Sequence, residues 1–372
     1  MVGALLLAGC GGCGVDPPSR LPDPTPQARA EIAPSGCDKR VRTLHRPVER
    51  GISYVHTYDR DGVRGYGSDT SRASLRELHA LGANWVSLMP FGFEESLDAD
   101  EVRIIGRHYS AGETDERMRR AIADAHAAGM HVLLKPHIWI RNGDWIGHAD
   151  PGSPERWEHW MESYREFALH YARIAELYGA ETFAVGVELG NSEEREDFWR
   201  ALVRDVRAVY HGKLVYCANW DNVARVRWWD AVDYVGVQFY APLASSAGAE
   251  EDEMRAKLAR TLDALGAVSA RVGRPVLFTE VGYKSMRGTA VRPHEWPEQL
   301  EGQPVSASVS DQARAWRVFL AGIRDRPWVE GLYVWKWFTD PTSSEEGPFG
   351  FSPRGKPAEA ALRSAFGGRC PR

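Results

Sequence analysis

Eight short apolar runs recur along the chain, separated by stretches of helical periodicity, and this alternation constrains the fold more than any other feature. The runs are GISYV (51–55), ANWVSLM (83–89), HVLLKP (131–136), FAVGVE (183–188), KLVYCAN (213–219), DYVGVQF (233–239), PVLFTE (275–280) and GLYVWKW (331–337). Between them the spacing predicts helices over 71–81, 115–128, 154–178, 193–210, 251–272 and 310–324, with a short candidate in 221–231. Near-continuous apolar strands that alternate with helices mean a parallel sheet covered on its faces. With eight repeats, the economical solution is an α/β chain closed into a single (β/α)8 TIM barrel. An open doubly wound sheet is the alternative, and it lacks its usual Gly-rich phosphate turn after the first strand. Gly82, Gly129, Gly179 and Gly212 fall just before the next strand, where C-terminal helix caps belong.

The chain ahead of the barrel reads differently. MVGALLLAGC looks like a lipobox, with an apolar run and small residues before Cys10. On this expectation residues 1–9 are a lipoprotein signal peptide, Cys10 carries the lipid, and 10–36, with six Pro in 14–36, form a semi-extended tether. The chain would then sit in the bacterial cell envelope, bound to a membrane through Cys10. A chance apolar N-terminus is the competing reading. The folded domain spans 37–372, bracketed by Cys37 and Cys370. A closed barrel brings its first and last elements side by side, so a disulfide between these two is expected in an oxidising compartment, against the alternative of two exposed single thiols. Cys217, inside an apolar run, reads as a buried free thiol.

A formal charge of -5 leaves no basic excess to neutralise a phosphate backbone, which argues against a nucleic-acid partner. The supply of aromatic residues is unusual: 14 Trp, 13 Tyr and 12 Phe exceed the ordinary needs of such a core, and flat rings stack on sugars. In a barrel the chemistry sits where strands end. Two of the runs end in a carboxylate, Glu188 and Glu280. Burial of such a group is costly unless it is paired or used. Strict alternation puts Ala184, Gly186 and Glu188 on one face, and Val276, Phe278 and Glu280 on one face of theirs, so both carboxylates can point inward at the same rim. A facing pair, one protonated and one ionised, is the minimal equipment for glycoside hydrolysis. Trp139, Trp145, Trp220, Trp335, Trp337 and Tyr240 follow or end strands and are candidate sugar contacts. His137, Asn219, Gln238 and Lys336 form a second group, for hydroxyl contacts or for tuning the carboxylates. The sequence contains no H-E-x-x-H, no G-x-x-x-x-G-K-[ST] and no G-x-S-x-G, so it calls for no metal and no cofactor.

The stretches GYGS (65–68), LLKPHIWI (133–140), FAVGVELGN (183–191), ANWD (218–221), FTEVGY (278–283), WKWF (335–338) and GKPA (355–358) resemble glycoside hydrolase family 113 over about residues 45–358. The resemblance implies a retaining, endo-β-1,4-mannanase-like catalytic domain. Glu188 would be the acid/base after strand four and Glu280 the nucleophile after strand seven. Tyr240 would hydrogen-bond and orient the nucleophile, and Trp335 or Trp337 would lie under the reacting sugar. Val187 stands where the wider clan has an Asn that contacts the sugar 2-hydroxyl, which leaves Asn191 and Asn219 as candidates for that contact. The substrate class implied is a mannan-type polysaccharide or oligosaccharide. Another β-glycan, or a non-catalytic glycan-binding surface lipoprotein, are the alternatives.

Overall fold

The computed structural model describes residues 36–44, 48–58, 61–104, 112–295, 305–343 and 346–370. The expected signal peptide, nearly all of the expected tether, and Cys10 lie outside the described residues. In chain order the elements are β1 (Glu49–Val55), α1 (Asp69–Leu81), β2 (Trp85–Leu88), β3 (Phe91–Glu94), β4 (Arg103–Ile104), α2 (Asp115–Ala127), β5 (His131–Leu134), β6 (His137–Ile140), α3 (Pro154–Tyr178), β7 (Thr182–Val187), α4 (Glu196–Arg207), β8 (Lys213–Asn219), β9 (Tyr234–Phe239), α5 (Glu251–Val272), β10 (Val276–Val281), α6 (Val309–Ile323), β11 (Val329–Phe338) and α7 (Pro357–Phe366). Eight of the strands close in the order β1-β11-β10-β9-β8-β7-β5-β2. Every pairing is parallel, and β1 seals the ring by pairing with both β11 and β2. This is the (β/α)8 barrel, and closure excludes the open sheet.

Local chemistry explains the element ends. Pro136 offers no N–H to a ladder, so the run HVLLKP stops as a barrel strand at Leu134, and the chain resumes as β6. Pro90 separates β2 from β3 in the same way. The strands β4, β3 and β6 make a small side sheet that the apolar pattern did not predict. Ser68 caps α1, its side chain accepting from the Ser71 N–H, and Gly82 ends that helix in the left-handed conformation at φ 99°. Gly212 is no cap, because α4 already ends at Arg207. The candidate helix in 221–231 reduces to a 3₁₀ turn at Trp229–Ala231. Helix α7, unpredicted, receives the chain entering the barrel: Asp38 N–H donates to Ala360 O at 3.2 Å and Leu44 N–H to Ala365 O at 3.0 Å. Cys37 and Cys370 are joined there by a disulfide, with Cα atoms 5.4 Å apart, and Cys217 is free and buried.

Apolar cores lie on both sides of the barrel strands. Leu133, Ala184, Val187, Val215, Cys217, Tyr234, Leu277 and Tyr333 fill the barrel interior. The larger core lies between strands and helices and takes Val185, Val276, Phe278 and Trp337. The expected face assignments therefore fail at both strands that end in a carboxylate. Ala184 faces inward, but a Cβ on Gly186 would meet Trp199 at 2.7 Å and Tyr216 at 2.8 Å in the outer layer. The register shifts between Ala184 and Gly186, and again between Phe278 and Glu280. One extra residue in a strand reverses the side on which everything after it points. Glu280 reaches the interior rim because the shift undoes the outward phase of Val276 and Phe278.

Candidate active site

A cavity of about 390 Å³ opens at the C-terminal ends of the barrel strands. Glu188 and Glu280 both line it, with Trp145, Asn191, Asn219, Trp220, Tyr240 and Trp335. Its wall also includes His148, Asp221, Asn222, Arg225, His294 and Phe351 from the loops.

Glu280 sits on β10 and is 3% exposed. Lys135, just beyond the end of β5 and fully buried, places Nζ 2.6 Å from its Oε1 and also donates to Thr279 O at 3.1 Å. Tyr240 O–H donates to Oε2 at 2.8 Å. Burial pushes the Glu280 carboxyl up, but the Lys135 charge, with hydrogen bonds from Lys135 and Gln238, holds it below the usual carboxylate range. The group is ionised. His137 lies behind it, with Nε2 3.8 Å from Oε1. Its imidazole is pushed down to about 3 by burial and by the Lys135 charge, so it stays neutral.

Glu188 follows β7 and has the opposite environment. Burial, and the negative charge of Glu280, raise its carboxyl above the ordinary value, while the indole N–H of Trp145, donating to Oε2 at 2.9 Å, opposes the rise. Its backbone adopts φ 54°, the positive-φ conformation otherwise found only at glycine among the described residues. One cavity thus holds an ionised carboxylate and a carboxyl biased toward its protonated form, the division of labour that acid-assisted displacement needs.

The other expected contacts divide. Asn191, Asn219, Trp220, Tyr240 and Trp335 reach the cavity. Asn191 donates to Ala149 O at 3.3 Å and Asn219, at the end of β8, to Asp221 Oδ1 at 2.8 Å, so both amides are oriented by hydrogen bonds. Trp337 does not belong to the site. It is packed in the outer core and donates to Ser74 Oγ at 3.1 Å. The pairing of β1 with β11 shifts between Ile52, opposite Val334, and Tyr54, opposite Trp337, which turns Trp337 outward while Trp335 lines the cavity. Trp139 stands on the side sheet, edge-on to Phe91, and does not line the cavity. His137 acts on Glu280 from behind and likewise lines no part of it. Lys336 pairs with buried Glu346 at 3.0 Å. The residue that sequence reasoning missed is Lys135. Its signal lies in the sequence, since a Lys near the close of an apolar run is as costly to bury unpaired as Glu188 or Glu280.

A closed (β/α)8 barrel that gathers two carboxylates of opposite protonation bias into one rim cavity, lined in part by tryptophan, is built as a glycoside hydrolase. Within that class, the model described as Glycoside Hydrolase Family 113 matches residues 56–350, and the chain belongs to that family. A GH113 beta-mannanase from Alicyclobacillus acidocaldarius, solved in complex with ManMIm, is similar with a TM-score of 0.74 at 28% identity, covering 87% of this chain and 99% of that one. A GH113 beta-1,4-mannanase solved as a complex is similar with a TM-score of 0.72 at 26% identity, covering 87% of this chain and 99% of that one. An endo-beta-1,4-mannanase from Thermotoga petrophila shares the fold, with a TM-score of 0.54 at 12% identity over 87% of this chain and 78% of that one. No curated protein matches the chain in a sequence comparison.

Proposed function

We propose that this protein hydrolyses β-1,4-mannosidic linkages in mannan-type polysaccharides by double displacement with net retention. In the first step a Glu280 oxygen attacks the anomeric carbon as the glycosidic C–O bond breaks, and the Glu188 proton passes to the departing oxygen. In the second, Glu188, now a carboxylate, takes a proton from water. That water displaces Glu280 from the glycosyl ester, releasing the sugar and restoring both groups. Tyr240 and Lys135 hold the attacking carboxylate by its two oxygens. Trp335 offers a ring to the cavity, and Asn191 and Asn219 offer amides to sugar hydroxyls. The single observation that supports the mechanism is the opposite bias of two carboxylates lining one cavity. The choice of mannan is supported by the family and by what its similar members are named for.

Purified protein incubated with mannan, glucomannan, cellulose and xylan tests both parts. Expected are reducing ends from the first two substrates, with the β-anomer appearing first. Release from xylan or cellulose alone overturns the sugar, and a first-formed α-anomer overturns retention. Glu280→Gln lowers kcat by on the order of a thousandfold or more while oligosaccharide binding persists; near-normal turnover removes Glu280 as nucleophile. An envelope location through lipid on Cys10 belongs to the same proposal and is supported by the sequence of residues 1–36 alone. Labelled palmitate should enter the full chain but not Cys10→Ser, and equal labelling of the two rejects the anchor.

A further inference from the structure

The loop that follows Glu188 is held from beneath by an aromatic cluster that touches neither the cavity nor the carboxylates. Tyr216, on β8 and fully buried, accepts the Leu189 N–H at 3.1 Å and donates its own O–H to Glu193 Oε1 at 3.0 Å. Trp199 Nε1 donates to Ser192 O at 2.9 Å, and Trp228 Nε1 donates to Glu193 O at 3.1 Å. The two indoles stack at 4.9 Å and 9°, and each packs on the Tyr216 ring, at 5.0 and 4.9 Å. Residues 189–193 are therefore fixed at three backbone groups by three aromatic side chains. The loop begins at the strained φ 54° of Glu188, whose own N–H donates to Cys217 O at 2.8 Å. Such a conformation persists only where the surroundings over-determine it.

We infer that Tyr216 and Glu193 are positioning residues for Glu188, holding the peptide that follows it so that its carboxyl stays aimed into the cavity. The chemistry of a phenol explains why both are needed. A tyrosine hydroxyl has one proton, and Glu193, by accepting it, turns the oxygen lone pairs toward the Leu189 N–H. Without Glu193 the hydroxyl proton is free to turn toward the Leu189 N–H, and that hydrogen bond weakens. Glu193 is completely buried, and burial pushes its carboxyl up to about 8. In a neutral solution it is thus an uncharged acid, nearly isosteric with glutamine.

The inference rests on the reading of Glu188 as acid/base, and the test separates the two. Tyr216→Phe keeps the ring and removes the hydroxyl. Its kcat/KM on β-1,4-mannan, whose leaving sugar needs a proton, should fall about 10-fold or more. Its kcat/KM on 2,4-dinitrophenyl β-mannobioside, whose leaving group departs as an anion, should change less than about threefold. Glu193→Ala should repeat this split, and Glu193→Gln, which keeps a neutral acceptor, should restore mannan hydrolysis to within about threefold. Equal losses on both substrates would mean general damage to the fold and would overturn the inference. So would a Glu193→Gln as impaired as Glu193→Ala. Should Tyr216→Phe not fold, the Glu193 pair decides alone. The control is Glu188→Ala with sodium azide on the aryl substrate. Azide displaces the Glu280 carboxylate from the glycosyl ester, giving the β-glycosyl azide and free enzyme. Rescue there with no substrate split in the Tyr216 and Glu193 variants refutes only the positioning role. Absence of rescue refutes the acid/base reading itself.

Discussion

Lys135 shows how a single side chain divides the labour between two carboxylates. Its ammonium, fully buried 2.6 Å from Glu280, stabilises the charged form of that carboxyl against burial. With Glu280 charged, Glu188 is pushed further toward its neutral form. Activity should therefore follow a bell in pH, its acid limb set by loss of the Glu280 charge and its alkaline limb by loss of the Glu188 proton. Lys135→Met removes the cation, and Glu280, still buried, then takes up a proton more readily. The acid limb of kcat/KM should move to higher pH, narrowing the bell, and kcat at neutral pH should fall by at least about tenfold. An unmoved acid limb would show that Lys135 does not tune Glu280. Both glutamates were legible because each closes an apolar run. The partners that bias them came from strands distant in sequence, and only their convergence on the rim showed which carboxylate stays charged.

The strand elements carry a device that period-two reading cannot see. At β7, β10 and β11 the register shifts close to a residue of the site, before Glu188, before Glu280 and beside Trp335. Such bulges re-aim side chains where a strand meets an active site. They break the alternation on which the expected faces of Gly186, Phe278 and Trp337 depended. The bulge in β7 also depends on glycine, since Gly186 has no space for a Cβ beside Trp199 and Tyr216. Gly186→Ala should destabilise the protein by about 1–3 kcal/mol through overpacking, read as a lowered denaturant midpoint with an unchanged slope. Because the same rings support the loop after Glu188, mannan hydrolysis should fall with it. A variant as stable as the parent would mean that the rings can give way.

On the scale of the whole molecule, stabilisation and chemistry sit at opposite ends of the barrel. The cavity lies at the C-terminal ends of the strands, whereas the Cys37–Cys370 bridge lies with the chain that packs on α7, near Gly82 at the foot of β2. The bridge spans 333 residues of sequence and constrains the unfolded chain most strongly. The double variant Cys37→Ser, Cys370→Ser should lose about 2–4 kcal/mol of stability in denaturant titration while keeping kcat and KM within about twofold. A large loss of kcat at full folding would link the bridge to the site. The 14 Trp also divide by layer: Trp160, Trp199, Trp228, Trp229 and Trp316 are fully buried, and Trp145, Trp220 and Trp335 line the cavity. The aromatic surplus therefore serves the strand–helix interface as well as the cavity wall. Sequence alone determined the eight barrel strands, their alternation with helices and the two rim carboxylates, because periodicity and the cost of burying charge are local properties of a chain. Only the tertiary structure decided which faces point inward, which tryptophans reach the cavity, and which glutamate is held charged. Bulges depend on pairing with a neighbouring strand, and a carboxyl's protonation depends on groups that folding brings within a few ångströms.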